Sequence, residues 1–144
     1  MKRTVLAASL FTCNVFAQVS VVPPEVVNVT TVGRWQSGPT SGSYRVTTTT
    51  DGWEHLWSHV TVEWLPDPSS REEGHVNGKI VELVPPAFAP GTAVLEASAQ
   101  QRKVGELIVT VLATSNMDLH AKPQRFIFAA TGPGTVKLIS AKRQ

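Results

Sequence analysis

The chain has 144 residues, of which 42% are hydrophobic, and it carries 13 Lys and Arg residues against 11 Asp and Glu residues. The length predicts one domain with enough apolar residues to build a core. A nucleic-acid partner is disfavoured because no basic stripe is present, and the single cysteine, Cys13, excludes an intramolecular disulfide.

Residues 1–17 have the pattern of a secretory signal peptide. Lys2 and Arg3 give a positive n-region, residues 5–11 a short apolar centre, and residues 15–17 a small-residue cleavage pattern. The sequence therefore predicts export, to the periplasm or alternatively to the extracellular space.

Cleavage after residue 17 would leave residues 18–144 as a single domain of balanced charge, because two basic residues are lost and 11 remain against 11 acidic ones. It would also remove Cys13. Lipid anchoring at Cys13 is disfavoured, since Phe11 and Thr12 fit a lipoprotein motif poorly. No later apolar run reaches the roughly 20 residues that span a bilayer, so we expect no transmembrane segment in the mature chain.

Two segments rich in β-branched residues come next. Residues 26–36 are rich in Val and Thr and predict a first long strand, bent at Gly33. Residues 44–50 are β-branched and aromatic without Gly or Pro, and they predict a second strand. The dipeptide of Asp51 and Gly52 favours a two-residue type I′ turn, because both residue types tolerate positive φ.

Residues 53–65 hold three of the four tryptophans and allow two interpretations. As a helix, the segment would be capped by Asp51, with Glu54 completing a capping box. As a strand, it is supported by the alternation of apolar and polar residues over 60–64. We favour the strand.

A two-residue turn would fix the register of this strand, pairing Val46 with Trp57 and Tyr44 with His59. The later apolar residues of the strand have the opposite parity to Trp57 and would fall on the other face. Either both faces of the strand are covered, or a β-bulge near Ser58 and His59 resets the phase of the strand, and we favour the bulge.

His55 and His59 are the candidate metal ligands. On a helix they would lie one turn apart and could share a zinc ion. On a strand four residues span about 13 Å, which is too far for two imidazoles bound at roughly 2 Å to one ion. The favoured strand therefore predicts no metal, no cofactor and no catalytic residue. A metal-dependent enzyme that uses His55 and His59 stays as an alternative.

The second half of the chain predicts more strands and one helix candidate. Residues 66–78 are polar and predict an exposed loop, and residues 79–84 predict a strand. Residues 92–104 favour a short helix capped by Thr92, with a strand followed by a turn as the alternative. Further strands are predicted at 106–114, 124–130 and 135–141.

About seven to nine short strands separated by turn signals are typical of a mainly β, single-domain antiparallel β-sandwich, either immunoglobulin-like or a related Greek key. Such a domain without a catalytic motif favours a non-enzymatic binding or assembly module that acts on a protein partner through edge strands and loops. An envelope-complex subunit, a chaperone-like protein and an inhibitor all share these features. A carbohydrate-binding module that uses surface tryptophans is a further alternative. The candidate contact residues are Trp53, Trp57, Arg71, Glu72 and Glu73.

Overall fold

In the computed structural model, which describes residues 25–52, 57–69, 78–83, 91–118 and 120–144, the chain is built from β-strands. No helix long enough and apolar enough to cross a membrane occurs in these ranges. The strands are β1 (Glu25–Ser37), β2 (Thr40–Asp51), β3 (Trp57–Pro66), β4 (Lys79–Glu82), β5 (Thr92–Lys103), β6 (Glu106–Ser115), β7 (Gln124–Ala130) and β8 (Val136–Arg143).

The strands form two antiparallel sheets in which neighbours in sequence are neighbours in space. The first sheet has the order β1-β2-β3-β4 and the second has the order β5-β6-β7-β8. The prediction of a mainly β, antiparallel fold is confirmed, and two sheets sharing one core are consistent with a β-sandwich. Each sheet is a simple meander, so this strand order does not confirm the immunoglobulin-like or Greek-key topology.

The core lies between the two sheets. Tyr44 and Trp64 of the first sheet are fully buried, and both donate a hydrogen bond to the backbone carbonyl of Thr131, which follows β7 in the second sheet. The distances are 3.1 Å from Tyr44 Oη and 3.0 Å from Trp64 Nε1. Burial, together with the charge of Glu106, raises the pKa of Tyr44 to about 12. These bonds satisfy two buried donors and link the sheets through one acceptor.

The helix predicted near 92–104 is wrong, because residues Thr92–Lys103 form strand β5. This strand pairs with β6 from Thr92, opposite Ser115, to Lys103, opposite Glu106. The helix propensity of its Ala, Glu and Gln residues amounts to less than about 0.7 kcal/mol per residue. The ladder of hydrogen bonds to β6 and the packing of Val94, Ala97 and Ala99 against the core outweigh that local preference.

The predicted register between β2 and β3 is also wrong. Tyr44 lies opposite Trp64 rather than His59, and Val46 lies opposite Val62 rather than Trp57. The ladder ends where Asp51 faces Trp57, so the two strands are not joined by a two-residue turn at Asp51 and Gly52. Lengthening a loop costs only about 0.6 kcal/mol per doubling, whereas this register buries large side chains of both strands in the core.

The predicted β-bulge near Ser58 is wrong as well. Pairing with β2 continues without interruption from Trp57 to Pro66. Val60, Val62 and Trp64 point into the core, while Trp57 has the opposite parity and points outwards. The change of parity in the sequence therefore marks a tryptophan on the outer face and not an inserted residue.

Candidate functional site

Of the five candidate contact residues, Trp57 lies in the described part of the chain. It is 45% exposed and stands on the outer face of the first sheet, beside Asp51 on the neighbouring strand. Trp53, His55, Arg71, Glu72 and Glu73 lie outside the described residues. A tryptophan that keeps almost half of its surface in water offers a large contact area for a partner.

His59 lies on the same face as Trp57, between two carboxylates from neighbouring strands. Its Nδ1 atom is 2.6 Å from Glu82 Oε1 on β4, and its Nε2 atom is 3.4 Å from Asp51 Oδ2 on β2. The hydrogen bond to Glu82 raises the pKa of His59; the negative charges of Glu82 and Asp51 act in the same direction, against the effect of partial burial. His59 therefore stands between side chains of both neighbouring strands, hydrogen-bonded to Glu82 on β4 and 3.4 Å from Asp51 on β2.

The raised pKa predicts that the contribution of His59 to stability depends on pH. That contribution is fully present below the ordinary value of 6.5 and is lost as the pH rises through the raised value. We expect the native chain to lose stability relative to a His59→Asn variant as the pH rises from the ordinary value of 6.5 through the raised pKa. The change should stay below about 1 kcal/mol, because all three side chains are partly exposed. Urea unfolding followed by circular dichroism at several pH values measures it.

His120→Asn is the matched control for this experiment. The His120 side chain is exposed and forms no ion pair with any described residue. If His120→Asn changed the pH profile of stability as much as His59→Asn does, the effect would follow from the loss of any imidazole and not from the contacts of His59. A constant difference between the native chain and the His59→Asn variant over the whole range would contradict the bridging role of His59.

The metal alternative concerned His59 together with His55, which lies outside the described residues. Within the described ranges, no group of three or more His, Cys, Asp or Glu side chains is arranged to hold a metal ion. Both ring nitrogens of His59 already face carboxylates of the same sheet. This arrangement suits a structural imidazolium, whereas a metal ligand must be neutral.

Strand β1 is an edge of the first sheet and is exposed over its first seven residues. Val26, Val27 and Val29 are 58%, 62% and 51% exposed. A register shift at Val27 interrupts the pairing with β2, but residues 28–32 pair regularly. No described strand pairs with the other side of β1, so its backbone groups there have no strand partner within the described chain.

The other edge strands of the two sheets carry features that discourage pairing with another chain. β4 has four residues, β5 contains Glu96, Arg102 and Lys103, and β8 contains Lys137, Lys142 and Arg143. In β1, by contrast, the residues from 26 to 33 include no charged residue and no proline. Natural sheets usually protect a long edge with charges, proline or short length. β1 is therefore the least protected of the four edges.

The second half of β1 is fixed to the rest of the domain. The Gln101 side chain accepts a hydrogen bond from Arg34 N at 3.2 Å and donates one to Arg34 O at 3.1 Å. The Arg34 guanidinium pairs with Asp67, whose carboxylate also accepts a hydrogen bond from Ser41 at 2.8 Å. The Ser41 bond, followed by the Arg34 contact, lowers the pKa of Asp67.

Gly33 permits this contact, because its φ of +64° favours glycine and an added Cβ would lie 2.9 Å from Gln101 Oε1. The anchored half of β1 therefore holds the exposed half in position.

The sequence predicts β1 as a strand but does not reveal that it is an edge, because that depends on which strands lie beside it. The carboxylates around His59 were also missed. Asp51 and Glu82 meet His59 only through the pairing of β3 with both neighbours, and no local sequence signal marks Glu82. Compared with protein-family models, with curated proteins and with solved structures, the chain has no match in any of the three.

Proposed function

We propose that this chain is an exported, non-enzymatic binding module that takes an extended segment of a partner protein as an additional strand beside β1. The observation that carries the proposal is the exposed, uncharged edge over residues 26–31. Strand addition of this kind draws affinity from backbone hydrogen bonds and specificity from alternate side chains.

The backbone of β1 provides the first part of the interaction. Within residues 28–32, every second residue directs its N–H and C=O groups away from β2, and these groups face no described strand. A partner segment in extended conformation would pair with them at a net gain of about 0.5–1.5 kcal/mol for each hydrogen bond. The rigid attachment of Arg34 and the burial of Trp35 mean that little order has to be created on binding.

The exposed valines determine which partner segment fits. Val26 and Val29 lie opposite Thr49 and Thr47, and so stand on the same outer face as Trp57. A partner strand with β-branched or aromatic residues on that face would cover the valines, and burial of each would contribute about 1 kcal/mol. A charged residue at those positions would be desolvated without a counter-charge, since residues 26–33 carry none. The expected partner segment is therefore extended, apolar and uncharged.

A Val29→Lys variant tests the proposal. Immobilised full-length protein is used to capture proteins from an envelope extract of the source cells, and β1 amides are followed by hydrogen exchange in the captured complex. We expect one partner to be retained by the native chain, with slowed exchange at those amides of residues 28–32 that point away from β2, and its retention to fall at least tenfold for Val29→Lys. The stability of this variant should stay within about 0.5 kcal/mol of the native value, since Val29 is exposed.

The matched control is Ile139→Lys on the edge strand β8, where the replaced side chain is 56% exposed. It should retain the partner. Equal loss in both variants, or self-association of the native chain through β1 in sedimentation experiments, would refute the proposal. If Trp57→Ala alone abolished binding and soluble glycans changed the tryptophan fluorescence, the carbohydrate alternative would replace it, because an exposed indole beside Asp51 suits the stacking of a sugar ring.

A further inference from the structure

Positive charge collects at one end of the second sheet. Residues 120–144 contain five Lys and Arg residues and no Asp or Glu, and four of the five, all except Lys137, lie in or next to the end of the β7–β8 ladder formed by Gln124 and Arg143. Pairing of β7 with β8 places Arg125 directly opposite Lys142, and Arg143 follows opposite Gln124. Like charges that face each other across two strands destabilise a sheet. None of these basic side chains forms an ion pair with a described residue. The fold thus maintains an unfavourable cluster of charge at this end.

A cleft of about 460 Å³ opens beside this cluster. Its volume is within the range of small-ligand sites in proteins. Asp118 supplies the one carboxylate among the lining residues. Its Oδ1 atom already accepts a hydrogen bond from the backbone N–H of His120 at 2.9 Å. The charged and polar lining of the cleft consists of Ser115, Asp118, His120, Lys122, Gln124 and Arg143.

The side chains of this lining are mostly hydrogen-bond donors. Arg143 offers a planar fork that matches two oxygens of a phosphate, and Lys122 offers a mobile ammonium group. The Ser115 hydroxyl accepts a hydrogen bond from Met117 N at 3.1 Å, so its own proton is available to a ligand oxygen. Arg125 and Lys142 stand on the outer face of the same two strands and add to the positive potential.

We infer that this basic cleft, formed by Asp118, residues 120–122 and the adjoining ends of β7 and β8, binds a phosphate group. The phosphate belongs either to a soluble phosphorylated compound or to the headgroup of an anionic phospholipid. The inference uses a different surface from β1 and stands independently of the strand-addition proposal. A phosphate dianion in the cleft would lie against Lys122 and Arg143 and would lower the positive potential to which Arg125 and Lys142 also contribute, which a neutral ligand would not do.

The test uses the full chain with two probes. Inorganic phosphate is titrated calorimetrically, and vesicles of phosphatidylcholine with or without phosphatidylglycerol are used in a flotation assay. A Lys122→Gln/Arg143→Gln double variant should bind at least tenfold more weakly to whichever probe the native chain binds. Lys137→Gln removes the same type of charge from an exposed position of β8 outside the cleft. The affinity of this variant for the same probe should be within about twofold of that of the native chain.

Binding of phosphate without vesicle binding would support a soluble ligand. Vesicle binding that requires phosphatidylglycerol and is reduced by phosphate would support a lipid headgroup. Absence of binding to both probes would overturn the inference, and so would an equal loss in Lys137→Gln, which would indicate unspecific attraction by net charge. Thermal unfolding of the double variant checks its fold, and Val29→Lys should keep phosphate binding, which separates this inference from the proposed function.

Discussion

Replacing Trp64 with alanine should lower the free energy of unfolding by about 3–5 kcal/mol. Trp64 is fully buried in the core and makes an edge-to-face contact with Tyr44, with ring centroids 5.9 Å apart. Its Nε1 atom donates the hydrogen bond to Thr131 O that helps to join the two sheets. The substitution removes the apolar area, leaves a cavity and breaks this bond, and urea unfolding followed by far-ultraviolet circular dichroism measures the sum of these effects.

Trp57→Ala is the matched control, because it removes the same side chain from the same strand on the opposite face. Since Trp57 is 45% exposed and stands outside the core, we expect a loss below about 1 kcal/mol. The loss of stability for Trp64→Phe should lie between those of Trp57→Ala and Trp64→Ala, because phenylalanine keeps an aromatic ring but lacks the hydrogen-bond donor. If Trp57→Ala destabilised the chain as much as Trp64→Ala, the assignment of inward and outward faces on β3 would be wrong.

The contrast between these two tryptophans shows what could be predicted from the sequence of β3. The alternation of Val60, Val62 and Trp64 predicts an extended segment with one buried face, and the structure has both. The register could not be predicted, because Asp51 and Gly52 give a local signal for a short turn. The burial that selects the longer connection comes from residues of β2 and of the second sheet, which no local pattern reveals.

The helix predicted near 92–104 failed for a related reason. Helix signals such as the cap at Thr92 act over one or two turns, and each is worth roughly 1 kcal/mol or less. Strand β5 gains its hydrogen bonds from β6, which follows it immediately in a hairpin. The turn at Val104 and Gly105 fits the alternative that the sequence left open, a strand followed by a turn.

Both proposed binding surfaces depend on strand order, which explains why the sequence points to neither. The sequence of β1 predicts a strand, but whether that strand is an edge depends on its neighbours. No described strand pairs with the side of β1 that faces away from β2. The basic cleft combines Lys122 with Arg143, which are 21 positions apart in sequence and meet through the pairing of β7 with β8. A nearly balanced net charge conceals this cluster, since the acidic residues are concentrated in earlier parts of the chain.

A Gly42→Ala variant should lose about 3 kcal/mol of stability or more, although it adds one methyl group. Gly42 lies within β2 between its partners Trp35 and Pro66. An added Cβ would come within 1.9 Å of the Leu65 carbonyl oxygen and 2.8 Å of Trp35 Cε2. To remove these overlaps, the end of the β2–β3 ladder must open or the buried Trp35 must move, which also endangers its 3.0 Å hydrogen bond to Ser43 O.

Gly132→Ala is the control, because nothing lies within 4 Å of an added Cβ there and its φ is not in the left-handed region. At such a position alanine reduces the entropy of the unfolded chain, so this variant should be unchanged or up to about 1 kcal/mol more stable. Urea unfolding of both variants provides the comparison. A loss below about 1 kcal/mol for Gly42→Ala would mean that β1, β2 and β3 are not packed around Trp35 as closely as described. The support that the exposed half of β1 receives from Arg34 and Trp35 would then be in doubt.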